Sequence, residues 1–94
     1  MENFLFEWHP EKAALNEQKH KVSFDEARTV FDDPEFVMVE DIVHSVDEDR
    51  YFTIGWSRSG RLLLVSHTDR ASRIRIISAR EVTKHERSFY FGNL

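Results

Sequence analysis

The stretch Arg61 to Arg80, RLLLVSHTDRASRIRIISAR, leaves this chain few choices of fold. Leu62-Leu63-Leu64-Val65 is an apolar run of strand length, and Asp69 to Ser72 is a short polar turn. The next segment alternates, with Arg73, Arg75, Ile77 and Ala79 on one side and Ile74, Ile76, Ser78 and Arg80 on the other. A period of two belongs to a strand with one face in the core and one in water. The segment therefore reads as a core hairpin that carries guanidinium groups, a platform for anions. If the second strand stays regular, Arg75 and Arg80 fall on opposite faces, because their spacing is odd.

Ninety-four residues suit one domain, 1–94, around one core, and 8 Phe with 2 Trp supply large side chains to fill it. No run is long enough to span a membrane, and MENFLFEWHP lacks the basic segment and cleavage site of a signal peptide, so the expected location is cytoplasmic. Cysteine is absent, which excludes disulfides, thiolate metal sites and a cysteine nucleophile. Net charge is −4, a balance that argues against nucleic acid until its distribution is read. Residues 1–49 carry four bases against 14 acids, a net of −10; residues 50–94 carry nine against three, a net of +6. Eight of those nine bases are Arg, the better fork for phosphate. Either the late half faces a polyanion, or the two halves neutralise each other across the fold.

Taken in order, Phe4 to Trp8 reads as a short strand, and Pro10 to about Lys19 as a surface helix with a thin apolar face on Ala14 and Leu15. Ser23 and Glu26 form an S-x-x-E capping box for a second helix, whose Phe24, Ala27, Val30 and Phe31 recur at core-facing spacing. Asp32-Asp33-Pro34 ends it. Phe36 to Val39 and Arg50 to Ser57 read as strands, the latter with Phe52, Ile54 and Trp56 on one face. Gly60 closes a hairpin into the Arg61 strand. A last helix carries Val82, His85, Glu86 and Phe89, capped through Ser78/Glu81 or Thr83/Glu86. The predicted architecture is α+β: a small antiparallel sheet of four to five strands, two N-terminal helices on one face, and a C-terminal helix.

These residues resemble the BrnT family of toxins from type II toxin–antitoxin pairs, small ribonucleases with a RelE-like fold. The resemblance runs through Phe6-Glu7-Trp8, Pro10-Glu11-Lys12-Ala13, Asn16, Lys19-His20, Val22-Ser23-Phe24 and Val30-Phe31-Asp32-Asp33-Pro34. It continues in the loop His44-Ser45, Asp47-Glu48, Arg50-Tyr51, in Gly60-Arg61-Leu62 and His67-Thr68, and most characteristically in Arg73 to Arg80. Thr83, Glu86-Arg87 and Tyr90 complete it. Two positions depart: the family usually has Asp where this chain has His9, and Gly where it has Lys21. Loss of that glycine forces Lys21 into a costlier conformation or a different turn. The resemblance implies RNA cleavage that arrests growth, a DNA-binding BrnA-like antitoxin as partner, and a toxin–antitoxin heterotetramer.

An RNA strand is cut when its 2′-hydroxyl attacks the neighbouring phosphate, and fixed guanidinium groups stabilise the charge that gathers there. RelE-like enzymes do this with Arg and Lys, without a metal or other cofactor. Arg75 and Arg80 are the first candidates for that role, against a structural pairing such as Arg80 with Glu86. His67 is the candidate proton carrier, against a hydrogen-bonded structural role. Arg61, Arg73, Lys84, Arg87 and Tyr90 are candidate RNA contacts; a solvated helix face, with Tyr90 in the core, is the competing assignment. His44, Asp47 and Glu48 invite a metal-hydrolase reading, but such a loop more often fixes itself through side-chain-to-backbone bonds, with Arg50 paired to an acid such as Asp47. No metal site is expected. The remaining alternative is a non-catalytic module that binds nucleic acid or protein through the same arginines.

Overall fold

A computed structural model describes residues 4–92. Its sheet holds β1 (Leu5–Glu7), β2 (Val37–Glu40), β3 (Arg50–Trp56), β4 (Leu62–Arg70) and β5 (Arg73–Glu81), in the order β1-β5-β4-β3-β2. β2 through β5 are antiparallel neighbours, as the meander predicts. β1, however, pairs parallel with β5, so the sheet is mixed rather than purely antiparallel. Parallel neighbours need a long crossover, and everything between β1 and β5 supplies it.

Helix α1 (Pro10–His20) begins at His9, whose Nδ1 accepts the Glu11 N–H at 3.2 Å. It ends on Lys21 at φ 60°, ψ 30°, the left-handed conformation that the missing glycine would have taken without strain. The expected contact face is wrong: Leu15 is 64% exposed, and α1 docks through buried Asn16, with Ala13 packed against the core. The Asn16 side chain accepts the Ala79 N–H at 3.1 Å and donates to Ala79 O at 2.8 Å and Val22 O at 3.0 Å. It behaves as one residue of a missing strand, pairing the edge of β5 beyond the reach of three-residue β1.

Helix α2 (Phe24–Arg28) starts where the capping box places it, with Ser23 Oγ accepting the Glu26 N–H at 3.0 Å. A 3-10 turn, Thr29–Asp32, continues it toward Pro34. Glu26 itself is drawn away from the box to Ser57, Ser59 and Arg61. Phe24, Ala27, Val30 and Phe31 are buried with Val22, Leu63, Val65, Ile76 and Ala79, forming the core between the helices and one sheet face. Gly55 lets the 3-10 turn settle on β3: a Cβ there would lie 3.0 Å from Val30 Cγ1 and 3.1 Å from Asp33 Oδ2.

On the opposite sheet face, α3 (Lys84–Gly92) covers Ile54, Leu62 and Leu64 with Tyr90. The Thr83/Glu86 pair caps it reciprocally, Thr83 N–H donating to Glu86 Oε1 at 2.9 Å and Glu86 N–H to Thr83 Oγ1 at 3.2 Å. Asp33 ties α3 down by accepting from Tyr90 OH at 2.7 Å and Trp56 N–H at 2.9 Å through one oxygen. No helix among the described residues is long and apolar enough to cross a membrane.

Candidate nucleic-acid interface

The strand register decides which basic side chains meet. On β5, Ser78 lies opposite Ser66, but Ile76 lies opposite His67, so Ile77 is an extra residue in the ladder. This bulge resets the alternation. Ile74 and Ile76 pack toward α1 and α2 before it, Ala79 does so after it, and Arg75 and Arg80 consequently share the other face. The regular-strand expectation that separated them fails on one inserted residue.

The same face receives Arg50, which lies across from Thr68, which in turn lies across from Arg75. Two strand spacings separate the Arg50 and Arg75 backbones, about 10 Å. α3 covers the Ile54, Leu62, Leu64 end, with Phe52 packed against that cluster, and Arg75 is half-buried further along the sheet. Arg50 does not pair with Asp47. Its Nε is buried and has no hydrogen-bond partner among the described residues. Its loop is fixed by Ser45, whose Oγ donates to Asp41 O at 2.7 Å and accepts the Arg50 N–H at 2.9 Å. Arg50 was legible as a member of this face, since it precedes Phe52, Ile54 and Trp56 at the strand period.

Carboxylates engage both first-choice arginines. Arg75 donates through Nε to Glu7 Oε2 at 2.9 Å, which leaves its two terminal nitrogens without a carboxylate among the described residues. Arg80 is gripped at both ends, Nη1 and Nη2 each 2.8 Å from a Glu86 oxygen, so the structural pairing weighed for it is the one observed. The Arg80 bond lowers the Glu86 carboxyl below its ordinary range, against burial. A cavity of about 170 Å³ beside this pair is lined by Phe52, Leu64, Arg80, His85 and Phe89, among others. His85, read from sequence only as part of a helical repeat, is thus an exposed imidazole lining the same cavity as Arg80.

The other sequence candidates divide. His67 is 1% exposed and lies on the helix-packed face, against Phe31 and Tyr51, with Nε2 2.7 Å from Thr53 Oγ1. Burial lowers its pKa to about 4 and keeps it neutral. It does not share a surface with Arg75 and Arg80, so it drops out of the proton-carrier role. Tyr90 is 2% exposed and is a core residue. Arg61 is bound by Glu26 and by Lys21 O, far along the hairpin. That bond, with help from Ser59 and Ser57, lowers Glu26 to about 2 against the effect of burial. Arg73 is exposed at the other end of β5, and Lys84 is exposed on α3. Arg87 lies 5.6 Å from the Trp56 ring centre and 5.4 Å from that of Phe91. No group of three His, Asp or Glu side chains among the described residues is placed to hold a metal ion; His44 instead contacts Asp41 at 2.7 Å.

The charge asymmetry is largely spent inside the fold. Arg58, Arg61, Arg70 and Arg75 each meet an acid from the first half of the chain: Asp32, Glu26, Glu48 and Glu7. Of the nine bases in the second half, Arg50, Arg73, Lys84 and Arg87 have no carboxylate partner among the described residues and remain for an external anion.

A family model described as "Ribonuclease toxin, BrnT, of type II toxin-antitoxin system" matches residues 8–86. No curated protein matches the sequence. The fold is similar to the 1.1 Å crystal structure of the Brucella abortus ribonuclease toxin, BrnT, with a TM-score of 0.66 and 18% identity, over 87% of this chain and 100% of that one.

Proposed function

The chain belongs to the BrnT family of ribonuclease toxins of type II toxin–antitoxin systems, and we propose that it cleaves RNA on the open face of its sheet, without a metal ion. The observation that carries this reading is the shared face. Arg50 and Arg75 flank Thr68 there, Arg50 without a carboxylate partner among the described residues and Arg75 bonded to Glu7 through Nε alone. A phosphate over Thr68 would meet donors from both sides. As the substrate 2′-hydroxyl attacks, the negative charge on the non-bridging oxygens grows, and donors already in place stabilise it without reorganising. Glu7 holds the Arg75 fork in orientation through Nε. Arg80, committed to Glu86, acts as a positioning residue that fixes the start of α3. His85 lines the cavity beside Arg80 and is the proton carrier of this scheme, taking the 2′-hydroxyl proton as the bond to the leaving 5′-oxygen breaks.

A type II toxin is countered by a protein antitoxin. We assign this chain a BrnA-like, DNA-binding antitoxin that neutralises it, in a toxin–antitoxin heterotetramer. The test is cleavage of RNA by the purified chain in EDTA. The expected result is EDTA-resistant cleavage that falls by about 100-fold or more in Arg75→Ala and in Arg50→Ala, the usual scale for losing one transition-state donor, with circular dichroism unchanged. Binding without cleavage would instead identify a non-catalytic module, and abolition by EDTA a metal hydrolase.

A further inference from the structure

A second cavity, of about 330 Å³, opens on the helix side of the sheet at the β4–β5 hairpin end. Phe4, Phe31, Phe36 and Met38 line it, with ring centres 5.8 Å apart for Phe4–Phe31 and for Phe31–Phe36. His67 belongs to the same lining and is almost wholly buried, with its ring centre 5.1 Å from that of Phe31. Arg73 lies at the mouth, exposed and without a carboxylate partner among the described residues. The volume is at the small end of ordinary ligand sites, about 300–1,000 Å³.

The lining also holds Asp69 and Ser72, and its histidine carries a buried polar atom without a partner. His67 Nε2 is engaged with Thr53, but Nδ1 is buried with no hydrogen-bond partner. Buried polar atoms left so are rare in native proteins. A neutral imidazole with one nitrogen engaged offers either a donor or an acceptor at the other. The lining therefore suits a planar ring that packs on aromatic side chains and presents a polar edge. Unstacked RNA bases are recognised in that way. An aliphatic side chain from a protein partner would fill the space but leave Nδ1 unsatisfied.

We propose that this cavity takes one unstacked base of the RNA substrate, its edge hydrogen-bonded to His67 Nδ1 and an adjoining phosphate held by Arg73. The idea rests on the ribonuclease reading for its substrate class. Arg73 precedes Arg75 by two residues on β5, about 7 Å of strand, so the mouth of the cavity adjoins the arginine face around the end of the sheet. His67 thus leaves the proton-transfer chemistry and becomes a specificity residue.

The test follows the His67 ring nitrogens by NMR in the full, unmodified, ¹⁵N-histidine-labelled chain. The probes are the four nucleoside 5′-monophosphates and an oligoribonucleotide blocked against cleavage by 2′-deoxy substitution. The expected result is a shift of the Nδ1 resonance with the oligonucleotide and, among the mononucleotides, a shift that favours some bases over others. Met38→Trp, which fills the space from a half-exposed position, removes the shift and weakens oligonucleotide affinity at least tenfold. Arg73→Ala keeps the shift and weakens affinity a few-fold. If neither probe moves Nδ1 while RNA is still cleaved, the base pocket is wrong and the nuclease stands. If mononucleotides move it but RNA is not cleaved, the pocket binds free nucleotides, and the assignment of an RNA substrate base is overturned. A shift produced only by a protein partner would overturn the proposal in favour of a side-chain pocket.

Discussion

Lys21 shows how one residue type carries a cost that contacts conceal. Its Nζ donates to Gln18 O at 3.0 Å and its own carbonyl accepts from Arg61, yet its backbone is left-handed. A side chain in that conformation costs roughly 1–2 kcal/mol, partly offset by the freedom that glycine restores to the unfolded chain. Lys21→Gly is expected to stabilise the protein by about 0.5–1 kcal/mol, read as a higher urea midpoint at unchanged slope. His67 acts on stability through protons. Its pKa is about 4 in the fold, against about 6.5 unfolded, so the unfolded chain takes up the proton first as pH falls. Its stabilising contribution is complete above pH 6.5 and is lost as pH drops toward 4, by up to about 3 kcal/mol. Urea denaturation at stepped pH values checks this, and His67→Gln is expected to flatten the profile between pH 6.5 and 4.5, above the carboxylate range. Glu26 adds a second, lower window: its folded value of about 2 lies below the model-peptide Glu pKa of about 4.3, so its contribution is lost as pH falls through that range.

The elements are joined by polar devices that hydrophobic periodicity does not reveal. The capping box at Ser23 was legible because both members are local in sequence, whereas Ser78/Glu81 and Thr83/Glu86 competed for the last helix and only the structure selects Thr83/Glu86. The grip of α1 on β5 was not legible, because the partner of Asn16 is a peptide group 63 residues away. Asn16→Ala removes three hydrogen bonds and strands the N–H and C=O of Ala79 together with Val22 O in a buried place. Unpaired buried groups cost about 1–3 kcal/mol each. The expected loss is about 3 kcal/mol or more, measured by denaturation, with hydrogen exchange accelerating first at Ala79. The bulge at Ile77 is the second device of this kind. Alternation was read correctly on each side of it, but the pattern through it was not, since nothing in RIRIISAR says which isoleucine is extra. That residue decides whether Arg75 and Arg80 share a face.

At the scale of the whole molecule, the acidic first half and basic second half mostly answer each other. Four arginines are consumed in pairs across that divide, and the surface left for RNA is smaller than a net of +6 suggests. Binding should accordingly depend on salt in a limited way. Each phosphate neutralised on a single strand contributes about −0.7 to the slope of log K against log salt. Contacts from the unpaired Arg50 and Arg73 give an expected slope of about −1.4, and Arg50→Ala should lessen it by about 0.7. Fluorescence anisotropy with a blocked oligoribonucleotide at several salt concentrations measures both.

The sequence alone determined the α+β class, the meander, the starts of the first two helices, the composition of the helix-side core and the family likeness, because caps, turns and periodicities act between residues near each other in the chain. Tertiary structure decided the parallel docking of β1, the clamp at Asn16, the union of Arg50 with Arg75, the commitment of Arg80 to Glu86 and the burial of His67. Which face a side chain takes, and which opposite charge reaches it first, depend on strand register and on partners brought close only when the chain closes on itself.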